Sequence, residues 1–531
     1  MGFKENNICS IIGKTTQISG HPDHDFSNYR KKICRFAENF SMQYQFSLNK
    51  SNLPDNQAKI YILVTKDDKM PGCSEIGYFT DIDNRYIEKQ FLLKNYLFQI
   101  SDFEKPVFVQ FINISDHEEY KIFENFRIAG SKMQNEIKKN KIEEISIYGC
   151  ETDDYLPFYL EGLLLADYRF AKYKRDPEVS TLKHINFVSK NLEESTLNKI
   201  KINVEAVYLC RDLVNEPGSV LTATELADRI TDMGKEAGFY TEVLNKKKIE
   251  ALKMGGLLAV NSGSIDPPTF IILHHDPANK VNTKPVVLVG KGVVFDTGGL
   301  SLKSTMNSMD EMKSDMAGAA VVASVIYALA RLKVPIEVYG LIPATDNRQG
   351  EKACFPGDIV TISNGTTVEI LNTDAEGRLI LADALSYAKK LNPEIVIDLA
   401  TLTGSASNAI GKYAMIAFTN KGDVLDTDLL TASHITYERI VQFPIWDEYA
   451  ELIKSDVADI KNTGGKEAGA ITAAKFLQCF VDYPWIHLDI AGVSFASAES
   501  NYLTKGGTGT GIRLLINYLT SKFVQNDNNN S

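Results

Sequence analysis

The chain has 531 residues, of which 44% are hydrophobic and 24% charged, and its formal net charge at pH 7 is −11. This length exceeds the usual size of one domain, so we expect two domains. The acidic balance argues against a nucleic-acid partner, because such binding depends on Lys and Arg that neutralise phosphates. The seven cysteines are scattered and form no Cys-x-x-Cys pair, which favours reduced thiols over disulfides or a thiolate zinc site.

The N-terminal segment, residues 1–7, lacks the apolar region that is typical of a signal peptide. No stretch of the sequence reaches the apolar length that a membrane span requires. Gly2 begins a myristoylation-like pattern, but Asn6 stands where that pattern requires Ser or Thr. The sequence therefore predicts a cytoplasmic protein without a membrane partner.

The first part of the chain alternates strand-like runs with helical patterns. Apolar runs begin at Ile60, Val107 and Ile145, and a helical pattern covers 159–173. We find no catalytic constellation in this part. We therefore predict a smaller N-terminal α/β domain, residues 1–192.

From residue 193 the predicted elements alternate regularly. Helices are predicted at 204–214, 223–237, 317–332 and 379–391, and strands at 269–274, 286–289, 336–342 and 394–399. This order is typical of βαβ units on a mostly parallel sheet flanked by helices. We predict a larger catalytic α/β domain at 193–524 and a polar, disordered tail at 525–531.

Chemically interesting residues follow the predicted strands. Active sites of open α/β sheets lie outside the carboxyl ends of the strands. Segments 290–291 and 401–404 both begin where an apolar strand ends. We therefore expect both segments on the same rim of the sheet.

Asp374, Glu376 and Arg378 occupy alternate positions after the apolar run 368–371. In an extended segment, side chains two residues apart project to one face, so these three would share a pocket. Two carboxylates and a guanidinium there would suit a multivalent cation beside an anion. The same residues could instead begin a helix, where acidic side chains are common, and the motif alone favours that structural interpretation.

The residues upstream change this assessment. Lys291, Asp296 and Lys303 follow the predicted strand 286–289, and Asp315 precedes the helix 317–332. Each alone could be a surface residue, a turn former or a helix cap. Together, carboxylates and amines at the ends of predicted elements suit a pair of divalent ions such as Zn²⁺, Mn²⁺ or Mg²⁺.

From residue 211 to about 523 the sequence closely resembles the leucyl aminopeptidase family, the cytosol aminopeptidases with two metal ions. Asn-Thr-Asp-Ala-Glu-Gly-Arg-Leu at 372–379 matches the signature of that family, and the spacing of Lys291, Asp296 and Lys303 agrees with it. Segments 399–404 and 487–492 extend the match. The resemblance implies a homohexamer, with an N-terminal domain that takes part in assembly.

The resemblance also implies the metal ligands. Asp296 and Glu376 would bridge both ions, Asp374 would complete the more exchangeable site, and Lys291 and Asp315 would complete the tighter one. The same ligands accept Zn²⁺, Mn²⁺, Co²⁺ or Mg²⁺. Because only a neutral amine can bind a metal, we expect the ion to depress the pKa of Lys291.

By the same resemblance, a protonated Lys303 would donate to the developing oxyanion, and bicarbonate held by Arg378 and Leu402 would act as general base. The implied substrate is a peptide with a free N-terminus, because its α-amine can offer a lone pair to a metal. Leucine or another medium apolar residue is expected, although Ser494 stands where some relatives have methionine. The residues implied in substrate binding are Lys303, Met312, Asn372, Thr401, Gly404 and Ala491.

Other hypotheses fit less well. Some relatives bind nucleic acid on the same scaffold, but the acidic charge and the complete ligand set disfavour that role here. The chain has no His-Glu-x-x-His motif, and we interpret His274 and His275 as structural. The glycine-rich segment 506–511 lacks the ending of a P-loop, and 290–292 lacks the third glycine of a dinucleotide fingerprint.

Overall fold

The computed structural model describes residues 44–525, apart from 50–56, 68, 71–78, 101–104, 117, 150–152, 190, 307 and 423. The predicted disordered tail lies outside the described residues except for Gln525, the last residue of a short π-helix, Ser521–Gln525. The described residues belong to one contact unit, Gln43–Ser531. The boundary that we expect near residue 192 therefore stays a prediction.

In its described residues, the first part of the chain forms one sheet and three helices. The strands are β1 (Gln45–Asn49), β2 (Ala58–Thr65), β3 (Leu97–Gln99), β4 (Val107–Asn113), β5 (Glu144–Gly149) and β6 (His184–Val188). The helices are α1 (Asp81–Leu92), α2 (Glu119–Lys139) and α3 (Leu156–Asp167). The sheet order is β1-β6-β5-β2-β4-β3, and every neighbouring pair is parallel except β3 and β4.

Central strand β2 is buried almost throughout, as expected for a parallel strand that is covered on both faces. Helices α2 and α3 pack closely against each other. A Cβ at Gly162 would lie only 2.0 Å from the carbonyl oxygen of Arg127, so this approach requires glycine. The predicted α/β character of this part is confirmed.

The second part of the chain contains ten helices among the described residues. They are α4 (Glu194–Asn215), α5 (Ala223–Ala237), α6 (Lys246–Ala251), α7 (Gly255–Asn261), α8 (Ala317–Arg331), α9 (Gly377–Ala388), α10 (Gly404–Ile410), α11 (Thr427–Thr436), α12 (Gly469–Gln478) and α13 (Ile512–Thr520). Short 3₁₀ helices cover Met309–Ser314, Lys389–Leu391 and Asp447–Ile453. The helices that we predicted at 223–237, 317–332 and 379–391 are present, and each begins within two residues of its predicted start.

The strands of this part are β7 (Tyr240–Leu244), β8 (Thr269–His275), β9 (Val286–Gly290), β10 (Gly292–Asp296), β11 (Val338–Asn347), β12 (Ile359–Thr361), β13 (Thr367–Glu369), β14 (Ile395–Ala400), β15 (Met415–Thr419), β16 (Ile440–Gln442), β17 (Ile460–Lys461), β18 (Trp485–Asp489), β19 (Phe495–Ala496) and β20 (Gly506–Gly507). Nine of them form the main sheet, in the order β16-β15-β18-β14-β9-β11-β8-β7, with β10 also paired to β11. The central strands β18, β14, β9 and β11 are parallel. The pairs that β8 forms with β7 and β11 are antiparallel, as is the pair of β15 with β18.

Helices cover both faces of the main sheet. Val287 and Val289 of β9 join one core cluster with residues of α7, α9 and α12. Helix α8 also packs on β9 and β14. It covers the other face of the sheet, to which the alternate residues of each strand project. A mostly parallel central sheet flanked by helices is the fold class that the sequence predicts.

One part of our membrane prediction is wrong. The segment Met309–Arg331, which joins the 3₁₀ helix Met309–Ser314 to α8, is long and apolar enough to cross a membrane by length and composition. However, 89% of its apolar window is buried inside the protein. The small apolar residues of α8 allow this helix to pack inside the protein core.

Candidate functional site

The parallel pairing of β9 and β14 brings two segments of the site together. Gly290 pairs with Leu399, so the residues that follow each strand leave the sheet at the same edge. Lys291 is almost fully buried, and its Nζ donates a 3.0 Å hydrogen bond to the carbonyl oxygen of Thr401. The expectation that 290–291 and 401–404 share one rim is therefore confirmed.

Strands β10 and β11 supply a second contact. Asp296 and Asn347 are paired at the ends of these strands. Nδ2 of Asn347 donates to Oδ1 of Asp296 at 2.8 Å and to the carbonyl oxygen of Thr373 at 3.0 Å. One buried amide thus ties a predicted ligand to the loop that carries two others.

The signature segment is not extended, contrary to our expectation. Thr373 and Asp374 form a turn, and helix α9 begins at Gly377. Arg378 therefore lies in the first helical turn, as the alternative interpretation of the motif expected. Asp374 and Glu376 still meet, because the turn and the start of the helix direct both side chains to one place.

Short loops hold this turn against the chain that follows β10. Oγ1 of Thr373 donates to the carbonyl oxygen of Gly298 at 2.7 Å and accepts from the backbone N–H of Ser301 at 2.8 Å. Gly298 has φ of 86°, in the region that favours glycine. A Cβ there would also lie 2.9 Å from Oδ1 of Asp374.

A fully buried asparagine that the sequence analysis missed, Asn462, supports the other side of the turn. Its Oδ1 accepts from the backbone N–H groups of Leu371 and Asn372, at 2.9 and 3.3 Å. Its Nδ2 donates to the carbonyl oxygens of Asn372 and Ala375, at 2.7 and 3.4 Å. Because the supporting residue is some 90 positions away in sequence, spacing within the motif gives no signal of it.

The predicted ligands converge at this point. Oxygen atoms of Asp296, Asp374 and Glu376 all lie within 4.8 Å of one another. Nζ of Lys291 lies 2.8 Å from both Asp315 Oδ1 and Glu376 Oε1.

Lys303 bridges the other two carboxylates of the site. Its Nζ lies 2.9 Å from Asp296 Oδ2 and 2.5 Å from Asp374 Oδ1. The fold thus gathers all four carboxylates and both amines that the sequence analysis singled out.

The electrostatics of the site reflect deep burial and dense charge. Burial, together with repulsion from Glu376 and Asp296, raises the pKa of Asp315 well above its usual range despite the nearby Lys291. Burial alone lowers the pKa of Lys291, but attraction to Asp315, Glu376 and Asp296 outweighs it, so that this pKa lies above its ordinary value. The same balance, with attraction mainly to Asp296, raises the pKa of Lys303.

This donor set fits divalent metal ions. Oδ2 of Asp315 and Oε2 of Glu376 are buried and have no hydrogen-bond partner among the described residues. Unpaired buried carboxylate oxygens are costly unless a cation or a donor satisfies them. Together with the carboxylates of Asp296 and Asp374, these oxygens provide the hard ligands that Zn²⁺, Mn²⁺ or Mg²⁺ bind.

Arg378 lies beside this centre at the start of α9. Burial lowers its pKa to about 10, although the negative charges of Glu376 and Asp489 raise it. Its Nε is buried without a partner among the described residues. Arg378 and the first turn of α9 therefore offer donors to an anion.

Asp489, which our site prediction did not include, organises the neighbouring loop. Its Oδ1 accepts from the backbone N–H groups of Leu402 and Ala491, at 3.2 and 3.1 Å, and its Oδ2 accepts from Thr403 Oγ1 at 2.8 Å. The N–H of Leu402, a predicted bicarbonate ligand, is thus engaged by Asp489. The role of Leu402 in anion binding stays a prediction.

Two of the predicted substrate residues, Thr401 and Asn372, bond directly to predicted metal ligands. Oγ1 of Thr401 donates to Asp315 Oδ1 at 2.8 Å, and Oδ1 of Asn372 accepts from the N–H of Asp374 at 2.9 Å. Gly404 is exposed and faces open space, with nothing within 4 Å of the position of a Cβ. Met312 lies in the 3₁₀ helix immediately before Asp315.

A second group of potential ligands lies elsewhere, near the end of β8. Atoms of His274, Asp276 and Glu337 also lie within 4.8 Å of one another. However, Lys280 contacts both carboxylates, at 2.8 and 2.5 Å, and Asp276 is exposed. His274 bonds to Glu337 at 3.0 Å and stacks on Tyr339, which agrees with the structural role that we predicted for it.

The catalytic-domain profile of the cytosol aminopeptidase family matches residues 208–516, more than half of the chain. The chain belongs to the cytosol aminopeptidase family. A probable cytosol aminopeptidase of Chlorobaculum tepidum is 49% identical over 377 residues, which cover 68% of this chain and 74% of that relative. One of Geobacter sulfurreducens is 44% identical over 366 residues, 68% of this chain and 73% of its own.

Two solved structures of similar proteins match this chain over most of its length. A mutant of tomato leucine aminopeptidase matches with a TM-score of 0.79 at 28% identity, over 90% of this chain and 97% of its own. The bottromycin maturation enzyme BotP in complex with Mn matches with a TM-score of 0.75 at 29% identity, over 88% and 99%. Membership of this family supports metal-dependent aminopeptidase activity for this chain.

Proposed function

We propose that this protein releases leucine or other medium apolar residues from the free N-terminus of peptides, using two divalent metal ions and bicarbonate. The observation that carries the proposal is the convergence of Asp296, Asp374 and Glu376 within 4.8 Å, with Lys291 and Lys303 between the carboxylates. Such a cluster of charge is costly to bury without cations. The family of the chain supports the same chemistry.

In this proposal Asp296 and Glu376 hold both ions, Asp374 completes the more exchangeable site, and Lys291 and Asp315 complete the tighter one. When bound, the ions supply an activated water and polarise the substrate carbonyl. Zn²⁺, Mn²⁺, Co²⁺ and Mg²⁺ are all candidates. Asn347 and the other residues that bond to the ligands keep them in place before the substrate arrives.

Two positively charged residues act on the substrate side. Lys303, held protonated beside Asp296 and Asp374, donates a hydrogen bond to the oxygen that gains negative charge. Arg378, with Leu402, holds bicarbonate, which supplies the general base when bound. In the sequence, no His, Glu or Asp beyond the metal ligands suggests itself as the base.

Substrate selection rests on the same loops. Met312, Asn372, Thr401, Gly404 and Ala491 line the place for the first side chain of the peptide. The exposed position of Gly404 leaves space for a medium apolar group. A free α-amine offers a lone pair, which favours exopeptidase over endopeptidase action.

The wider assignment follows from family resemblance. We propose a cytoplasmic homohexamer with an N-terminal domain, residues 1–192, that takes part in assembly, and a catalytic domain, residues 193–524. Size-exclusion chromatography with light scattering tests this assembly directly. A monomeric mass at micromolar concentration would contradict it.

The function is tested by steady-state hydrolysis of unblocked aminoacyl amides by the metal-stripped protein, with Zn²⁺, Mn²⁺, Co²⁺ or Mg²⁺ restored in turn. We expect turnover with leucyl amide only after a metal is restored, and none with N-acetyl-leucyl amide. Glu376→Ala should abolish this turnover. Near-normal turnover in that variant, or equal hydrolysis of the blocked substrate, would refute the proposal.

A further inference from the structure

A cleft separate from the metal centre lies between the first part of the chain and a hairpin of the second part. We call it the hairpin cleft. It has a volume of about 240 Å³ and is lined by residues of α2, by the segment after α3 and by the tip of the β19–β20 hairpin. The lining residues used below are Lys132, Asn135, Arg169, Glu499, Asn501 and Thr504.

The charges in the hairpin cleft are of both signs and are not paired with each other. Lys132 and Glu499 are exposed, and neither has a hydrogen bond or an ion pair with another described residue. Arg169 uses Nη1 to donate to the carbonyl oxygens of Ala166 and Tyr168, at 3.1 and 2.7 Å, which fixes its guanidinium in the wall. The cleft therefore has positive charge on the side of the first part of the chain, where Arg169 is held by hydrogen bonds, and negative charge on the side of the hairpin.

Neutral polar groups complete the lining. Asn135 and Asn501 both lie on the cleft with exposed side chains. Thr504 is buried, and its hydroxyl has no hydrogen-bond partner among the described residues. A buried hydroxyl without a partner is uncommon and indicates that a donor or acceptor is missing from its surroundings.

This chemistry selects among possible ligands. A simple anion would meet Lys132 and Arg169 but be repelled by Glu499, and a metal cation would be repelled by the two basic residues. A zwitterion satisfies both signs at once. The volume lies below the range of about 300–1,000 Å³ typical of sites for drug-sized ligands, so a small zwitterion fits best.

The hairpin connects this cleft to the proposed substrate pocket. Phe495 pairs with Gly507 at the base of the hairpin. Just before that base, the carbonyl oxygen of Ser494 accepts from the N–H of Thr508 at 3.0 Å. Ala491, a proposed substrate residue, lies three positions further back, so the chain connects the hairpin directly to one residue of the proposed pocket.

The tip is also anchored to the first part of the chain. The hydroxyl of Tyr502 lies 2.9 Å from both carboxylate oxygens of Glu124 on α2. Nη2 of Arg211 donates to the carbonyl oxygen of Tyr502 at 3.2 Å. The hairpin is thus bonded to the first part of the chain at its tip and closed by strand pairing at its base.

We propose that the hairpin cleft binds a free α-amino acid and thereby modulates hydrolysis at the metal centre. The carboxylate of the ligand faces Lys132 and Arg169, and its ammonium group faces Glu499. The regulatory part rests on the proposed function, since a free amino acid is the product of that reaction. Exposed ion pairs contribute little each, so we expect a dissociation constant on the order of 1 mM.

Calorimetric titration of the metal-loaded protein with L-leucine tests the binding. The variants are Lys132→Gln, Glu499→Gln and the double variant, with Lys505→Gln as control, because Lys505 is an exposed lysine next to Thr504 that does not line the cleft. Each cleft variant should weaken one class of sites roughly two- to fivefold. Binding at the metal centre, and the isotherm of the control, should stay unchanged.

Two analogues separate the two charges of the ligand. N-acetyl-L-leucine lacks the ammonium group, and 3-methylbutylamine lacks the carboxylate. We expect neither to occupy the hairpin cleft of the wild-type protein as tightly as leucine. Binding of N-acetyl-L-leucine to the wild-type protein as tightly as leucine, or tighter binding of inorganic phosphate than of leucine to the wild-type protein, would identify an anion site and overturn the proposal.

Kinetics then test the coupling. Leucine should inhibit the wild-type enzyme with a competitive component from the active site and a second component that changes kcat. The cleft variants should retain only the competitive component. Unchanged isotherms in both cleft variants, with melting temperatures equal to wild type, would refute the cleft site even if peptidase activity is present. Conversely, cleft binding without any turnover would refute the proposed function and the regulatory part of this proposal, while the binding site itself would be supported.

Discussion

The side-chain amide of Asn347 donates a hydrogen bond of 2.8 Å to Oδ1 of Asp296. The same amide bonds to the carbonyl oxygen of Thr373, and so links two strands and the signature turn. We expect Asn347→Ala to weaken metal binding roughly 10- to 100-fold, the usual effect of removing a group that orients a ligand. Titration with Zn²⁺ and Mn²⁺ against a competing chelator measures this. Unchanged affinity in a folded variant would show that Asp296 is oriented by other contacts.

Gly377 leaves room for the side chain of Lys291. A Cβ at position 377 would lie 2.4 Å from Cε and 2.7 Å from Nζ of Lys291, so Gly377→Ala should push the amine away from Asp315 and Glu376. We expect weaker metal binding and at least about tenfold lower kcat/KM, with the fold retained, because the long lysine side chain can move. Gly404→Ala is the matched control for metal binding only, since no atom lies within 4 Å of its Cβ position and its proposed role is on the substrate side. Equal metal affinity in the two variants would contradict this steric role.

Arg378 is proposed to hold an anion and not the metals. Arg378→Ala should lower kcat roughly 100-fold or more, the scale of general-base catalysis, while metal content stays near that of the wild type. Added bicarbonate should restore part of the rate. The assignment would be contradicted if metal analysis found empty sites in the variant, or if added bicarbonate did not change its kcat.

A buried ion cluster joins the first part of the chain to the last helix. Glu161 of α3 accepts from Arg127 Nε at 2.5 Å and from Arg513 Nη1, on α13, at 3.0 Å. Glu161→Gln should lower the free energy of unfolding at pH 7, but by less than the ~3–5 kcal/mol of a fully uncompensated buried charge. Arg513 keeps its ion pair with Glu438 at 3.1 Å, and Arg127 keeps its pair with Glu124 at 3.5 Å. Chemical denaturation measures this change. Glu143→Gln, which removes an exposed pair with Lys183, should have little effect.

The same cluster predicts a pH dependence. Burial raises the pKa of Glu161, but Arg513 and Arg127 outweigh it, so the folded-state pKa lies below the ordinary 4.5. The carboxylate therefore stabilises the fold fully above pH 4.5, and this contribution is lost as the pH falls through the lower folded-state value. Wild type should thus lose stability in acid more steeply than Glu161→Gln. Parallel stability curves between pH 6 and 3 would refute the prediction.

Sequence pattern was sufficient for the architecture. The apolar strands 286–289 and 394–399 and the helices at 223–237 and 317–332 are predictable because burial forces a clear periodicity on each. The order of elements then predicts a parallel sheet, and with it the rim where Lys291 and Thr401 meet. The pairing of Gly290 with Leu399 confirms that rim.

The local geometry of the signature was less predictable. Alternation of Asp374, Glu376 and Arg378 suggested an extended segment, whereas the structure has a turn followed by a helix. A pattern of charges does not separate these conformations, because the bonds that decide between them come from Thr373 to Gly298 and from Asn462 to Asn372. These are contacts between residues 75 and 90 positions apart.

The sequence by itself determined the fold class and which residues carry charge suitable for metal ions, because residue type, spacing and periodicity are local properties. Only the tertiary structure decided that Asn347 and Asn462 support these residues and that the hairpin following Ala491 reaches a second, charged cleft. Hydrogen bonds and unpaired charges depend on which distant segments the fold brings within about 3 Å. No local pattern in the sequence indicates such a distance. The supporting roles of Asn347 and Asn462 could therefore be recognised only in the folded structure.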